Sequence, residues 1–196
     1  MKLTILQKQL AGIEELVIKG KVLAIDPSSG SRNSQPGYAI YEGGTLIDSG
    51  TIQVNHKNQL HSRLFYLAGC IRDQFDTPDI LVTENISSVM NSNSGFMSKN
   101  MVPLQRAVGV VQSIFECPCL EVAPATWRKY IPKDYVKSDE NDAIMLGWAA
   151  IFEAGKNIKQ EVIPSIGDRN LGGFLDEVSG LNKKRTGKTG EKSNRG

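Results

Sequence analysis

The sequence predicts an α/β fold with a mixed five-stranded sheet and helices on both faces. Residues 22–25 (VLAI) and 80–83 (ILVT) form two short runs that are almost entirely apolar, as expected of inner strands covered on both sides. Segments with apolar residues at helical spacing follow the predicted strands, which is typical of a layered α/β domain. With 196 residues, of which 40% are hydrophobic and 22% charged, the chain can bury one full core.

The first nineteen residues predict one amphipathic helix that precedes the first strand and ends at Gly20. Apolar residues recur in it at intervals of three and four, namely Leu3, Leu6, Leu10, Ile13 and Val17. Two heptads are too short to be stable alone, so this seam packs either on the core or on a second subunit. We therefore assign residues 1–20 to an N-terminal helix, 21–155 to the core domain and 156–196 to a C-terminal extension.

The first half of the core predicts three antiparallel strands and a crossover helix. Strand-like runs at residues 37–41 and 46–54 follow the first strand, and the Gly-Gly pair at 43–44 marks the hairpin turn between them. Residues 60–71 have apolar side chains at helical spacing, and the helix ends before Pro78. Residues 79–84 then predict an inner strand parallel to the first.

The second half predicts a helix at residues 102–115, a short strand at 120–122 and a short basic helix that opens at Pro124. Ser138 is the expected N-cap of a final core helix at residues 139–151. This order of elements is that of the ribonuclease-H-like α/β fold. A further helix is predicted at residues 171–181.

Four acidic residues can converge at one edge of such a sheet. Asp26 ends the first strand, Glu84 ends the fourth, and Asp139 and Asp142 share one face of the final helix. Carboxylates so close raise one another's pKa, and divalent cations relieve this repulsion. Two Mg²⁺ ions roughly 3.5–4 Å apart promote in-line hydrolysis of a phosphodiester. Each acid alone is better explained as a turn or helix-start residue, but together they favour a metal-dependent nuclease.

Composition argues against several other classes of protein. No apolar run approaches the roughly 18 residues of a membrane span, and the charged N-terminus is unlike a secretory signal, so we expect an intracellular, cytoplasmic protein. The three cysteines and two histidines lack the spacing of a zinc site, so oxygen ligands would have to hold any metal. Six Lys or Arg face one acid in the last fourteen residues, and this tail either lies along a polyanion or serves solubility.

Several motifs resemble, in the same order, those of the RuvC Holliday-junction resolvases. They are Ile25-Asp-Pro-Ser with Gly37-Tyr-Ala-Ile, the strand ending in Glu84, Phe96-Met-Ser-Lys-Asn100, the helix with Ala107-Val-Gly109, and Asp139-Glu-Asn-Asp142-Ala143. The resemblance covers about residues 21–153. It implies a homodimeric, Mg²⁺-dependent endodeoxyribonuclease that resolves four-way DNA junctions by paired symmetric nicks.

The resemblance also implies roles for individual residues. Asp26, Glu84, Asp139 and Asp142 would be the catalytic set that holds two Mg²⁺ ions, for which Mn²⁺ substitutes, with Asp26 and Asp142 bridging both ions. Phe96 matches an aromatic that stacks on a base at the opened junction, an interaction worth about 1–3 kcal/mol. Lys129 matches a catalytic lysine that neutralises phosphate charge, and the second such lysine is Lys137 or Lys133. The expected DNA-binding residues are Phe96, Lys99, Arg128, Lys129, Lys133 and Lys137.

The chain departs from the family pattern in three places, and two other functions compete with junction resolution. The lysine-bearing helix that usually precedes the last acidic pair is shortened. The N-terminal helix precedes the usual start of the fold, and the loop at residues 86–95 is longer than expected. One alternative is another ribonuclease-H-like nuclease that acts on flaps, forks or RNA–DNA hybrids. The other is a non-catalytic protein that binds junctions. An actin-type ATPase is disfavoured because no Gly-Thr-rich phosphate loop follows Asp26.

Overall fold

The sheet has five strands in the spatial order β3-β2-β1-β4-β5 in the computed structural model, which describes residues 5–28, 35–55, 59–86, 101–132, 135–158 and 164–165. The strands are β1 (Lys21–Asp26), β2 (Gly37–Glu42), β3 (Thr45–Thr51), β4 (Ile80–Glu84) and β5 (Cys119–Val122). The pairs β1–β2 and β2–β3 are antiparallel, whereas β1–β4 and β4–β5 are parallel. The predicted mixed sheet of the ribonuclease-H-like order is confirmed.

Helices cover both faces of the sheet, as predicted. They are α1 (Ile5–Leu10), α2 (Glu14–Lys19), α3 (Leu60–Gln74), α4 (Met101–Gln112), α5 (Pro124–Trp127) and α6 (Asp139–Asn157), with a 3₁₀ turn at Arg128–Tyr130. Successive side chains of a strand point to opposite faces. Val22 and Ala24 of β1 therefore join the larger core with α1, α2 and α6, and Leu23 and Ile25 join the smaller core with α3 and α4.

Helix α6 packs directly on the centre of the sheet. Its residues 142–155 are all buried, so the helix is apolar around most of its circumference. A Cβ atom at Gly147 would lie 2.7 Å from the Tyr41 ring and 3.0 Å from the Ala24 side chain. The Tyr41 hydroxyl donates a hydrogen bond of 2.7 Å to the Ile144 carbonyl. The closest approach of helix and sheet thus depends on a residue without a side chain.

The N-terminal segment forms two short helices, so the prediction of one continuous helix was wrong. The break falls at Gly12, whose φ of 90° lies in the left-handed region that glycine adopts readily. Leu6 and Leu10 of α1 and Val17 of α2 are buried in the larger core. The apolar side chains of this segment therefore pack on the core of their own chain.

Turn and cap residues locate several boundaries as predicted. Gly43 and Gly44 have φ angles of 56° and 79°, the positive values that a tight hairpin turn requires. The Ser138 hydroxyl accepts a 3.1 Å hydrogen bond from the backbone N–H of Asn141 and caps α6.

The predicted helix at residues 171–181 lies outside the described residues. Among the helices of the described ranges, none is long and apolar enough to cross a membrane.

Gly147→Ala should destabilise the protein. The added methyl group meets the buried Tyr41 ring, so we expect the free energy of unfolding to fall by about 1–3 kcal/mol despite the better helix propensity of alanine. The matched control is Gly109→Ala in α4, where nothing lies within 4 Å of the added atom and where stability should rise by up to about 1 kcal/mol. Urea denaturation measures both, and equal effects would contradict the close packing.

Candidate active site

Two of the predicted acids lie side by side at one edge of the sheet. Asp26 is the last residue of β1, and Glu84 is the last residue of β4. These strands are parallel neighbours in which Ile25 pairs with Thr83, so the next residue of each strand occupies the equivalent position. Residues at equivalent positions of parallel neighbours point to the same face of the sheet. The sheet therefore places the Asp26 and Glu84 side chains next to each other.

The start of α6 reaches the same place because Gly37 leaves room for it. Gly37 pairs with Asp26 across the β1–β2 ladder. A Cβ atom at Gly37 would lie 1.8 Å from the Asp139 carbonyl oxygen, which is backbone and has little freedom to move. The backbone N–H of Gln35 donates a 2.8 Å hydrogen bond to Asp139 Oδ2 and fixes this end of the helix. The acids of the first turn of α6 are thereby brought to the ends of β1 and β4.

Asp26 interacts electrostatically with the other three predicted acids. Burial raises the pKa of Asp26 well above its usual range, and the charges of Glu84, Asp142 and Asp139, in that order, raise the pKa further. The charge of Lys137 acts in the opposite direction. The structure thus places the other three predicted acids near enough to Asp26 to affect its ionisation.

Glu84 is held by two neighbours from the segment that follows β5. The Trp127 indole N–H donates a 3.1 Å hydrogen bond to Glu84 Oε1, and the Arg128 guanidinium lies 3.7 Å from the same oxygen. Burial raises the pKa of Glu84, and these two contacts offset the rise only in part. Sequence reasoning assigned Arg128 to DNA and did not single out Trp127 as a partner of Glu84. No sequence signal links Trp127 to a residue 43 positions away.

Asp142 has one hydrogen-bond partner that the sequence did not reveal. The Tyr135 hydroxyl donates to Asp142 Oδ1. Burial raises the pKa of Asp142 above its usual value, and the Tyr135 hydrogen bond and the Lys137 charge reduce this rise without cancelling it. The sequence assigned basic residues of this segment to the DNA, and aromatic residues lie between them, but nothing in the sequence pairs Tyr135 with Asp142.

The structure brings Lys137 to the acids but does not bring Lys129 to them. The charge of Lys137 acts on Asp26, Glu84 and Asp142 alike. The Lys129 ammonium instead lies 2.7 Å from Glu153, which is eleven residues beyond Asp142 on α6 and so roughly 16 Å further along the helix axis. The expected role of Lys129 beside the acids therefore has no geometric support. Phe96, Lys99 and Lys133 lie outside the described residues.

Glu153 behaves differently from the acids of the candidate site. Burial opposes its ionisation, but hydrogen bonds from Lys129 and Tyr130 and the charge of Lys156 outweigh this effect, so the pKa of Glu153 lies below its usual range. Its side chain is only 10% exposed, and all three partners are in contact with Oε1. Glu153 is a paired structural carboxylate, whereas Asp26 is surrounded by other acids.

The donor set of the candidate site fits a hard divalent cation. All four side chains offer carboxylate oxygens, and a cation between them would relieve the repulsion that Asp26 experiences from the other three. Across the described ranges, however, no three His, Cys, Asp or Glu side chains are arranged to hold a metal ion. The acids are near enough to interact electrostatically, but they do not form a ready-made coordination shell.

The described architecture is that of a ribonuclease-H-like domain, and solved structures with the same fold include RuvC. No protein-family model and no curated protein matches the sequence. The chain is similar to Thermus thermophilus RuvC in complex with a Holliday junction substrate, with a TM-score of 0.51, 12% identity, and coverage of 70% of this chain and 95% of that one. A second T. thermophilus RuvC structure has a TM-score of 0.49 and 12% identity, and the match covers 71% of this chain and 97% of that one. The predicted resemblance to RuvC is confirmed at the level of the fold.

Asp26→Asn should stabilise the protein when divalent cations are removed. The pKa of Asp26 is raised on folding, so the stability that its proton contributes is present below about pH 4 and is lost as pH rises through the raised pKa. Asparagine does not ionise. At pH 7.5 in EDTA we expect the variant to melt a few degrees higher than the unmodified protein, since 1 kcal/mol corresponds to roughly 2–4 °C at this size.

The control for this comparison is Asp73→Asn, which changes an exposed acid on α3. Thermal unfolding measured from pH 4 to pH 8 should show a difference that grows with pH for Asp26→Asn and stays flat for the control. A melting temperature for Asp26→Asn that follows the unmodified protein at every pH would contradict the buried, repelled state of Asp26.

Proposed function

We propose that the protein is a metal-dependent endodeoxyribonuclease that resolves four-way DNA junctions by paired symmetric nicks. The observation that supports this most is the convergence of Asp26, Glu84, Asp139 and Asp142 where β1, β4 and α6 meet. The same fold occurs in a RuvC structure described as a complex with a Holliday junction substrate. Acids that repel one another cost stability, and they suit chemistry that places cations and a phosphate among them.

The four acids would hold one or two Mg²⁺ ions, and Mn²⁺ has the same preference for oxygen ligands. When bound, the ions supply Lewis-acid chemistry at the scissile phosphate. The protein's own part is to keep the carboxylates together. Lys137 and Arg128 favour the ionised form of Asp142, and both are exposed, so they can also contact the DNA backbone.

We further propose that the active form is a homodimer. A four-way junction with two-fold symmetry is cut at matching points by two equivalent sites, and a two-fold dimer supplies them. Phosphate contacts from basic side chains then supply affinity that weakens with salt, and junction shape supplies most of the selectivity.

A synthetic immobile junction with each strand labelled in turn tests the function. In Mg²⁺ we expect nicks at symmetric positions on two opposing strands, and none in EDTA. Asp26→Asn should keep junction binding and lose on the order of 10³-fold in rate, which corresponds to several kcal/mol of transition-state stabilisation. Asp73→Asn should cut normally.

Other substrates decide between the alternatives. Faster cutting of a flap, a fork or an RNA–DNA hybrid would indicate a different ribonuclease-H-like nuclease. Binding of the junction without cutting in either Mg²⁺ or Mn²⁺ would indicate a non-catalytic junction-binding protein. Equal nicking by Asp26→Asn would remove Asp26 from the mechanism.

The two lysines near the site should differ in their effects. Because Lys137 acts on the acids and is exposed, Lys137→Ala should weaken junction binding and lower the slope of log affinity against log salt by roughly one. Lys129 is paired with Glu153, so Lys129→Ala should lower stability and leave that slope unchanged. Fluorescence anisotropy at several salt concentrations measures the slopes. The reverse ranking would return Lys129 to the role that the RuvC resemblance implies.

A further inference from the structure

We propose that Trp127 and Tyr135 are positioning residues that orient Glu84 and Asp142 for a divalent cation by holding one oxygen of each carboxylate. The inference rests on the proposed metal-dependent function and adds two residues to its machinery. Neither residue would touch the DNA or the ion.

Trp127 is fixed before any ligand binds. Its side chain is 3% exposed and belongs to the larger core, so the direction of its indole N–H is set by packing. The N–H meets Glu84 Oε1 at 3.1 Å, and Arg128 approaches the same oxygen. In the described part of the chain, both contacts to the Glu84 carboxylate fall on Oε1, so Oε2 is the oxygen left to face a cation.

Tyr135 holds one oxygen of the Asp142 carboxylate in a similar way. Its hydroxyl donates to Oδ1, and its ring packs against the larger core. A phenol hydroxyl is protonated at neutral pH, so the group is a hydrogen-bond donor there. In the described ranges, the side-chain contact to the Asp142 carboxylate falls on Oδ1 alone. Oδ2 is therefore the oxygen available to an ion.

Trp127 and Tyr135 are suited to this task because they are uncharged. A lysine or arginine at either position would compete with the incoming cation for the negative charge of the carboxylate, beyond what Arg128 already does at Glu84. An N–H or O–H donor favours the ionised carboxylate, which a cation requires, and restricts its rotation without neutralising it. Hydrogen-bond donors of this kind, behind ligating carboxylates, typically change metal affinity by about 10–100-fold.

The opposing explanation is that these bonds only satisfy the donors. A buried indole N–H needs an acceptor, and a partly buried phenol gains from one. In that case removing the donor changes stability but not the affinity for metal. The two explanations therefore differ in a quantity that can be measured without any DNA.

Calorimetric titration of the full chain with Mn²⁺ tests the proposal. We expect Tyr135→Phe and Trp127→Phe each to raise the Mn²⁺ dissociation constant about 10–100-fold. The matched control is Tyr130→Phe, which removes the same hydroxyl from a buried carboxylate at the far end of α6, Glu153. Tyr130→Phe should lower the melting temperature and leave the Mn²⁺ dissociation constant within about twofold.

Cleavage gives a second readout that a merely structural role would not produce. Excess Mn²⁺ should restore the cleavage rate of Tyr135→Phe, because the defect lies in metal affinity, whereas junction affinity in EDTA should stay unchanged. If Tyr135→Phe does not fold, Trp127→Phe carries the same test through Glu84. Wild-type Mn²⁺ affinity in both variants, with Asp26→Asn losing the ion, would overturn the positioning role and leave the nuclease proposal intact. A natural-sequence protein that binds no Mn²⁺ and cuts no junction would overturn both.

Discussion

Repulsion among buried carboxylates is the constraint on which the candidate site depends. Asp26 sits at the end of a central strand with Glu84, Asp142 and Asp139 around it, and every one of these neighbours disfavours its ionised form. Such an arrangement costs free energy, so it persists only because the packing elsewhere is strong. Helix α6 supplies much of that packing, since residues 142–155 are buried and Gly147 lets the helix lie directly on β1 and β2. The core forces the acids together, although they repel one another.

Comparison of Asp26 with Glu153 separates a candidate functional acid from a structural one. Burial raises the pKa of both carboxyls, and both interact with residues of the same helix. Glu153 has two lysines and a tyrosine hydroxyl on one oxygen, and the pKa of its carboxyl falls. Asp26 has three acids for neighbours, and the pKa of its carboxyl rises. Burial alone does not distinguish these cases; the sign of the surrounding charge does.

The sequence predicts features that depend on local rules or on simple topology. Asp26 and Glu84 end adjacent parallel strands, so their meeting follows from strand order, and Gly43 and Ser138 set a turn and a cap through their own chemistry. Features that depend on an unusual backbone angle or on long-range orientation were missed or wrong. The α1–α2 break needs Gly12 to adopt a positive φ, which an apolar repeat does not report. The partner of Lys129 depends on the direction in which one turn of backbone points its side chain.

That turn explains how neighbouring residues come to serve different carboxylates. Helix α5 changes at Trp127 to a 3₁₀ turn, in which successive residues are about 120° apart rather than 100°. Trp127 and Arg128 accordingly reach Glu84, whereas Lys129 and Tyr130 reach Glu153. The segment of residues 127–130 therefore contacts the candidate site through its first two residues and the far end of α6 through its last two. The Glu153 contacts anchor the end of this segment to the core helix, whereas the Trp127 indole that meets Glu84 is fixed by its own packing in the larger core.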